Sequence, residues 1–193
     1  MLKACRWNVN LILYDMNVLY RTKCYTIGAM EYASGVNWRE LVENTLGPRN
    51  ITVFNPYKKP FLNDCDESPD VRHRMRQLMM QSRFSAVTEW ARDIRRYDLN
   101  LVDRSDFIIA NIIPSTASWG TAEELSTAVA ARKPIFTAIQ GGVKNCPLWL
   151  MGQLKYKYMY DSIEDVLDML TKIDDGVQPI DSPSWRLLKP ELR

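Results

Sequence analysis

The chain's densest group of chemically useful side chains is Ser118-Trp-Gly-Thr-Ala-Glu-Glu-Leu125, where two neighbouring carboxylates follow small and polar residues. Glu123 and Glu124 fall in the first turn of an alanine-rich helix that the pattern predicts over Gly120–Arg132. The backbone N–H groups and the positive dipole end of such a turn suit an anion such as a phosphate. The segment therefore combines carboxylate chemistry with a possible anion site.

Helical spacing separates these two carboxylates. Glu124 lies four residues before Ala128 and seven before Ala131, so it shares their small, apolar stripe, whereas Glu123 faces elsewhere. A carboxylate on a packed face is costly unless it has a partner or a chemical task. The pattern Thr121-x-x-Glu124 is equally typical of a capping box, in which Glu124 only caps its own helix. Both interpretations of Glu124 stay open at this point.

Strands and helices alternate along the rest of the chain. Short apolar runs bounded by Gly, Pro or Asn predict strands at Cys24–Ala29, Ile51–Phe54, Asp106–Ile113, Pro134–Ile139 and Lys155–Tyr160. Other stretches predict helices at Val36–Leu46, Gly120–Arg132 and Ser162–Ile173, with two consecutive helices in Val71–Arg104. The strands are continuous apolar runs, which indicates a parallel sheet covered on both faces.

We therefore predict a single α/β domain, with a doubly wound, flavodoxin-like or Rossmann-like, mostly parallel five-stranded sheet and helices on both faces. Ligands of such sheets bind beyond the carboxyl ends of the strands, so the loops after Ala29, Phe54 and Ile113 matter most. The domain is predicted over 23–175. An N-terminal extension precedes it at 1–22, and an irregular, proline-containing tail follows at 176–193.

Composition argues against several classes of protein. The formal net charge is only +2, and acidic residues interrupt the run Arg92, Arg95 and Arg96, so no nucleic-acid polymer is expected as a partner. No apolar run is long enough to cross a membrane, and the four cysteines are widely spaced, as is typical of a reduced, cytoplasmic protein. The single His73 lies in a charged segment, which argues against a histidine-built metal site.

Three blocks, in order, make the sequence resemble the nucleoside 2-deoxyribosyltransferase family, which includes the 2'-deoxynucleoside 5'-monophosphate N-hydrolases. Tyr25-Thr-Ile-Gly-Ala-Met30 is similar to the family's first strand and glycine loop. Asp98-Leu-Asn-Leu-Val-Asp-Arg-Ser-Asp106 is similar to a helix with an aspartate eight residues before the aspartate that opens a strand. The segment from Ser118 is similar to the Gly-x-x-x-Glu-Leu nucleophile motif. The resemblance covers roughly Tyr25 to Pro134.

The resemblance implies a catalytic role for three residues. Glu124 matches the nucleophile that attacks the anomeric carbon and forms a glycosyl-enzyme intermediate. Asp98 matches the carboxylate that assists departure of the base, and Tyr25 matches the tyrosine whose hydroxyl orients the nucleophile. This chemistry needs one carboxylate to trap an oxocarbenium-like carbon and another group to protonate the base. It needs no metal or organic cofactor.

Ser118 matches the position that contacts the 5'-group of the substrate. In the family's nucleotide hydrolases a serine there contacts the 5'-phosphate, whereas transferases carry an aspartate that holds the 5'-hydroxyl. The loop before Glu124 is longer than the family pattern and lacks its second glycine, so Ser115 and Thr116 compete for this contact. The remaining substrate-binding residues expected near the strand ends are Gly28, Met30, Trp119 and Gly120.

Each of these residues also has a structural interpretation. Tyr25 fits core filling, Asp98 fits the surface of an arginine-rich helix, and Ser118 fits an N-cap. Asp106 is predicted to be structural. Met30, Tyr57 and Trp119 lie near strand ends, where they could pack on a base or in the core.

The resemblance, together with the hydroxyl groups of Ser118, Ser115 and Thr116, implies an enzyme that hydrolyses a 2'-deoxynucleoside 5'-monophosphate to base and deoxyribose 5-phosphate. One alternative is base exchange between deoxynucleosides, and another is a nucleotide-binding module without turnover. The resemblance also implies a homodimer or a higher homo-oligomer in which a neighbouring subunit finishes the pocket. A loose aromatic group could serve the interface or the core: Trp149, Tyr156, Tyr158 and Tyr160.

Overall fold

A five-stranded, entirely parallel sheet forms the centre of the computed structural model, which describes residues 17–30, 35–58, 66–116 and 118–179. The strands run in the order β2-β1-β3-β4-β5. Their bounds are β1 Lys23–Gly28, β2 Thr52–Phe54, β3 Phe107–Ile112, β4 Ile135–Ile139 and β5 Met159–Tyr160. The order reverses between β1 and β3, which is the switch point where ligands of doubly wound sheets bind. The predicted fold class is confirmed.

Six α-helices connect and cover the strands in the described part of the chain. Their bounds are α1 Gly35–Leu46, α2 Pro69–Met80, α3 Phe84–Arg104, α4 Trp119–Ala130, α5 Leu148–Gln153 and α6 Ile163–Asp174. The predicted pair of helices in the long central segment is present as α2 and α3. The chain turns between them at Ser82, which has a positive φ of 59°.

Two apolar layers pack on opposite faces of the sheet because strand side chains alternate. Cys24 faces the layer that α1 and α6 supply, whereas Tyr25 and Ile27 face the layer of α3 and α4. Ala128 is fully buried in this second layer, as its spacing predicted. Ala131 is exposed, because the helix ends at Ala130 and the stripe therefore stops one turn earlier than predicted.

The strand predicted over Lys155–Tyr160 is shorter in the structure. Only Met159 and Tyr160 pair with β4, and a 3-10 turn occupies 156–158. The predicted aromatic group divides accordingly. Tyr158 and Tyr160 pack against the ring of Phe136, at centroid distances of 5.3 and 6.4 Å, and so belong to the core. Trp149 and Tyr156 are exposed.

The packed domain begins earlier than the predicted boundary after residue 22, because residues 17–22 pack against it. Leu19 is fully buried in the core, and its backbone N–H donates to the Asp174 carboxylate at 2.8 Å. Asn17 donates to the same carboxylate. Residues 17–22 are therefore held to α6 by burial and hydrogen bonds, while residues 1–16 lie outside the described chain. No helix in the described ranges is long and apolar enough to span a membrane.

Candidate active site

The sequence-predicted nucleophile and its orienting tyrosine are in direct contact. Tyr25 donates its hydroxyl hydrogen to Glu124 Oε1 at an O–O distance of 2.7 Å. Tyr25 lies in the middle of β1 with 1% of its surface exposed, and Glu124 lies in the second turn of α4. The bond joins residues 99 positions apart. It forms because an inward strand position faces the packed side of α4 near the carboxyl end of the sheet.

Glu124 does not cap its own helix, so the capping-box interpretation is wrong. Helix α4 begins at Trp119, and its N-cap is Ser118, whose Oγ accepts from the backbone N–H of Thr121 at 3.3 Å. The helix thus starts one residue earlier than predicted. The N-cap interpretation of Ser118 is correct. The Glu124 carboxyl lies on the inner side of α4, as its alignment with Ala128 indicated.

The environment of Glu124 strongly favours its protonated form. Burial is the largest cause, and it raises the Glu124 pKa from an ordinary 4.5 to about 8. The nearby carboxylates of Asp98 and Glu67 also raise this pKa, while the hydrogen bond from Tyr25 and the charge of Arg39 lower it. Asp98, on α3, also raises the pKa of Tyr25. Of the three predicted catalytic side chains, Tyr25 and Glu124 are thus in direct contact, and Asp98 lies within electrostatic range of both.

Arg39 is a residue of this site that the sequence analysis missed. It is completely buried on α1, and its Nη2 donates to the carbonyl oxygen of Gly28 at 2.9 Å. Its guanidinium lies 4.4 Å from the centroid of Trp38 and 5.2 Å from that of Tyr57. The signal was present in the sequence: Arg39 lies three residues before the buried Val42, on the apolar face of its helix.

Gly28 ends β1 where three neighbours crowd the backbone. A Cβ atom at this position would lie 2.8 Å from the carbonyl oxygen of Asn111 and 3.1 Å from the ring of Trp38. Only glycine therefore permits β1 and β3 to pair here with Arg39 at the strand end. Gly28 thus shapes this edge through close packing and its carbonyl group.

The residues predicted to hold the 5'-group lie around the N-terminus of α4. Ser115 is exposed in a turn after β3, and Thr116 is half-buried. Gly120 has no atom within 4 Å of the place where a Cβ would lie, so the helix entrance is open. Trp119 is 92% exposed, which rules out the core-packing interpretation of this side chain in the described structure. The first turn carries no acidic residue.

A cavity of about 280 Å³ opens at the same edge of the sheet, on the face of α1 and α6. Its lining includes Ala29, Trp38, Asn111, Gln140, Asp161 and Glu164. Tyr25 and Glu124 lie on the opposite face of the sheet. Met30 follows Ala29, and its carbonyl oxygen accepts from the Tyr57 hydroxyl, which ties the loop after β1 to the loop after β2.

Asp106 has the structural role that its position predicted. Its carboxylate accepts from the backbone N–H of Lys23 at 2.8 Å, and its own N–H donates to the Lys23 carbonyl oxygen. It therefore joins the first residue of β1 to the residue that precedes β3. Within the described residues no group of three or more His, Cys, Asp or Glu side chains is arranged to hold a metal ion.

Together the fold and this group define a class of protein: an α/β enzyme with partly buried carboxylates near the switch point of a parallel sheet. The family model for nucleoside 2-deoxyribosyltransferase matches residues 35–170. The chain belongs to the nucleoside 2-deoxyribosyltransferase family. It is therefore an enzyme of glycosyl transfer or N-glycosidic bond cleavage.

Several solved structures of low sequence identity are similar to the chain, and the two with a TM-score above 0.5 share its fold. A 2-deoxyribosyltransferase from Bacillus psychrosaccharolyticus is 18% identical, with a TM-score of 0.52 over 76% of this chain and 90% of that one. A conserved protein from Enterococcus faecalis V583 is 19% identical, with a TM-score of 0.51 over 78% and 98%. The CMP N-glycosidase BcmB of Clostridium botulinum is 15% identical, with a TM-score of 0.45 over 77% and 98%. No curated protein sequence matches the chain.

Proposed function

We propose that this enzyme hydrolyses the N-glycosidic bond of a 2'-deoxynucleoside 5'-monophosphate, with Glu124 as nucleophile. The observation that carries the proposal is the 2.7 Å hydrogen bond from Tyr25 to Glu124, in a site that Asp98 shares. A partly buried carboxylate that accepts from one donor keeps its second oxygen available for a reacting carbon. A second carboxylic group in the same site supplies the proton that the departing base needs.

The reaction balances in two steps. First, an oxygen of ionised Glu124 attacks the anomeric carbon; the C–N bond breaks, and its electron pair leaves with the base, which takes a proton supplied through Asp98. Then the oxygen of a water molecule attacks the anomeric carbon, the bond from that carbon to Glu124 breaks, and the carboxylate is regenerated; the proton that water loses returns to Asp98, and deoxyribose 5-phosphate is released. Tyr25 orients the carboxylate throughout. These steps use the side chains of the chain itself.

The nucleophile must be ionised, and burial opposes that state. With a pKa raised to about 8, Glu124 is largely protonated at neutral pH in the free enzyme. Positive charge that develops on the sugar in the transition state favours the ionised form. We therefore expect kcat/KM to rise with pH through the range around 8, where the free carboxyl titrates.

A phosphate at the 5'-end is supported by the chemistry of the α4 entrance. Ser118, Ser115 and Thr116 supply hydroxyl groups, the first turn has no acid, and Gly120 leaves the backbone open. Helix N-termini favour anions because their N–H groups and dipole point outward. An aspartate at this place would instead repel a phosphate.

Incubation with four deoxynucleosides and their 5'-monophosphates, with and without a free acceptor base, tests the substrate and the reaction together. We expect base and deoxyribose 5-phosphate from monophosphates, at a rate that the acceptor does not change. Release only from the unphosphorylated nucleosides contradicts the phosphate assignment. Formation of a new nucleoside in place of free sugar phosphate assigns the enzyme as a transferase.

We also propose that the enzyme works as a homo-oligomer through the surface around α5. Leu148 and Trp149 are about nine-tenths exposed there, and Tyr156 is 68% exposed. Such aromatic and aliphatic residues are typical of interface cores. Light scattering on the wild type and on Trp149→Asp tests this assignment: a dimer or larger species that becomes monomeric supports it, whereas a monomeric wild type contradicts it.

We place the catalytic unit within residues 17–175 and the enzyme in the cytoplasm. A shortened chain that begins at Asn17 keeps the hydrogen bonds from Asn17 and Leu19 to Asp174, and we expect it to be active. The described thiols, Cys24 and Cys146, are unbonded, which fits a reducing compartment. Cell fractionation tests the location, and activity of the shortened chain tests the boundary.

A further inference from the structure

The cavity on the face of α1 and α6 takes no part in the proposed reaction. Its volume of about 280 Å³ is room for about nine water molecules, which is more than a packing void. It opens at the carboxyl ends of β1, β3 and β4, where Ala29, Asn111 and Gln140 lie. This edge is where parallel sheets bind ligands. Because Tyr25 and Glu124 lie on the other face of the sheet, the cavity is separate from the candidate active site.

Hydrogen bonds within the protein hold the walls of the cavity in place. Asp161 Oδ1 accepts from the backbone N–H of Val143 at 2.7 Å, and the Asn145 amide donates to the carbonyl oxygen of Gly141 at 2.5 Å. On the opposite side Ser162 is the N-cap of α6. Walls that are fixed before a ligand arrives reduce the entropy lost on binding.

Three polar side chains of the lining are available to a ligand. The side chains of Asn111, Gln140 and Glu164 make no hydrogen bond to another described residue. Each amide offers a donor and an acceptor, and the carboxylate accepts. The buried side chains of Trp38 and Ile163 add an apolar wall beside them. Such a lining suits a flat, largely apolar molecule with hydrogen-bonding groups at its edge.

The charge of the lining disfavours the phosphorylated substrate and the sugar phosphate. Asp161 and Glu164 line the cavity, and none of the described lining residues is Lys, Arg or His. Asp165 adds a second acid to the first turn of α6, where acids oppose the attraction of the helix dipole for anions. The volume is also just below the range of about 300–1,000 Å³ that is typical of sites for drug-sized ligands. A single ring system therefore fits better than a whole nucleotide.

We propose that this cavity binds a free heterocyclic base that carries an exocyclic amino group, as adenine and cytosine do. The inference rests on the proposed function for the source of this base, which the reaction releases. The amino group donates to the Glu164 carboxylate or to an amide oxygen, and a ring nitrogen accepts from the amide of Asn111 or Gln140. Amides pair with adenine and carboxylates with cytosine in this way in base recognition.

The location on the α1 and α6 face has a consequence for the reaction. A base bound there leaves Tyr25 and Glu124 free, because the sheet lies between the two sites. Binding of the base and chemistry at Glu124 are therefore independent. A base held in the catalytic site would instead depend on Glu124.

Isothermal titration calorimetry of the full-length protein with adenine, cytosine, uracil and thymine tests the inference. We expect saturable binding of adenine and cytosine, and affinities at least about tenfold lower for uracil and thymine, which lack the amino group. Gln140→Leu and Glu164→Ala should each weaken the binding of adenine or cytosine at least about tenfold. Glu124→Gln should bind both bases like the wild type.

Two matched controls exclude general effects of losing an amide or a carboxylate. Gln77→Leu removes an exposed amide on α2, and Asp168→Ala removes an exposed carboxylate from the third turn of α6. Both should bind the bases like the wild type. Melting curves verify that each variant is folded, and if Glu164→Ala is unfolded, Gln140→Leu decides alone.

Four results overturn the inference: no saturable binding up to roughly millimolar base, equal affinity for uracil, unchanged affinity in Gln140→Leu, or loss of binding in Glu124→Gln. The last of these would place the base in the catalytic site. The proposed function fails separately, if Glu124→Gln retains turnover of the monophosphate. Calorimetry with free bases needs no turnover, so the two failures are distinguishable.

Discussion

The inner and outer faces of α4 carry adjacent glutamates in opposite environments. On the outer face, Glu123 accepts two hydrogen bonds from the exposed Arg95, and that contact lowers the Glu123 pKa. On the inner face, Glu124 accepts from Tyr25, and burial raises its pKa to about 8. The two side chains have the same chemistry and the same helical backbone. Their difference shows that the neighbours, rather than the motif, decide which carboxylate is suited to react.

Removing each carboxylate in turn is the most direct test of whether the two faces differ in function. We expect Glu124→Ala to lower kcat by at least about 10³-fold, as loss of a nucleophile does, with the fold retained. Glu123→Ala should stay within about twofold of the wild type, because its exposed ion pair contributes little. Steady-state rates on a 5'-monophosphate, with circular dichroism, provide the measurement. Equal losses of kcat in both variants would contradict the assignment of catalysis to Glu124 alone.

Removal of the Tyr25 hydroxyl changes the environment of Glu124 and leaves that of Glu123 unchanged. In Tyr25→Phe the ring still fills its buried place, but Glu124 loses the hydrogen bond that lowers its pKa. We expect kcat to fall by about 10- to 100-fold and the acidic limb of kcat/KM to move to higher pH. A pH–rate series measures both effects. A fall in kcat with an unmoved acidic limb would assign Tyr25 to packing or substrate contact.

The two faces also predict opposite dependence of stability on pH. Between pH 4.5 and 8 folded Glu124 keeps a proton that the unfolded chain releases, so its contribution to stability falls as pH rises through this window. Glu124→Gln removes the free-energy cost of keeping this carboxyl protonated above its ordinary pKa, and its amide oxygen still accepts from Tyr25. We therefore expect its free energy of unfolding to match that of the wild type at pH 4 and to be higher at pH 8, by up to about 4 kcal/mol for a pKa that differs between 4.5 and about 8.

Urea titrations at the two pH values measure this difference. Glu123→Gln is the control: Arg95 lowers the Glu123 pKa, so this carboxylate favours folding above its ordinary titration range and its loss gives no gain at pH 8. A Glu124→Gln variant that is less stable than the wild type at pH 8 would show that the ionised carboxylate is well compensated. A gain in stability with a loss of turnover is the pattern expected of a functional site.

Helical spacing predicted the inner face of α4 only in part. It correctly grouped Glu124 with Ala128 and separated Glu123, because a fixed rise per residue sets which side chains share a face. It did not identify the start of the helix, since Ser118 and Thr121 are both good N-cap residues and only the local backbone decides between them. Spacing within one helix also contains no information about the strand that packs against it.

Arg39 also shows which features can be predicted from local sequence and which depend on tertiary packing. The order of strands and helices follows from apolar runs, and five parallel strands were predicted from them. That this charge is buried against the Gly28 carbonyl oxygen and the ring of Tyr57 depends on how α1 packs on the sheet. Such contacts come from tertiary packing, so the sequence contained the signal of a charge on an apolar face and no indication of its neighbours.

The smallest expected effect concerns Ser118, which is the N-cap of α4 and so supports the helix that carries both glutamates. Ser118→Ala should cost about 1 kcal/mol of stability, because Thr121 N–H loses its acceptor. Ser162→Ala is a matched control: Ser162 caps α6 in the same way, with its Oγ accepting from Asp165 N–H at 3.1 Å. If Ser118 also contacts the 5'-phosphate, only Ser118→Ala should raise KM for monophosphates, by several-fold, with KM for nucleosides unchanged. Equal losses of stability with an unchanged KM in both variants would limit Ser118 to its cap and assign the phosphate to Ser115 or Thr116.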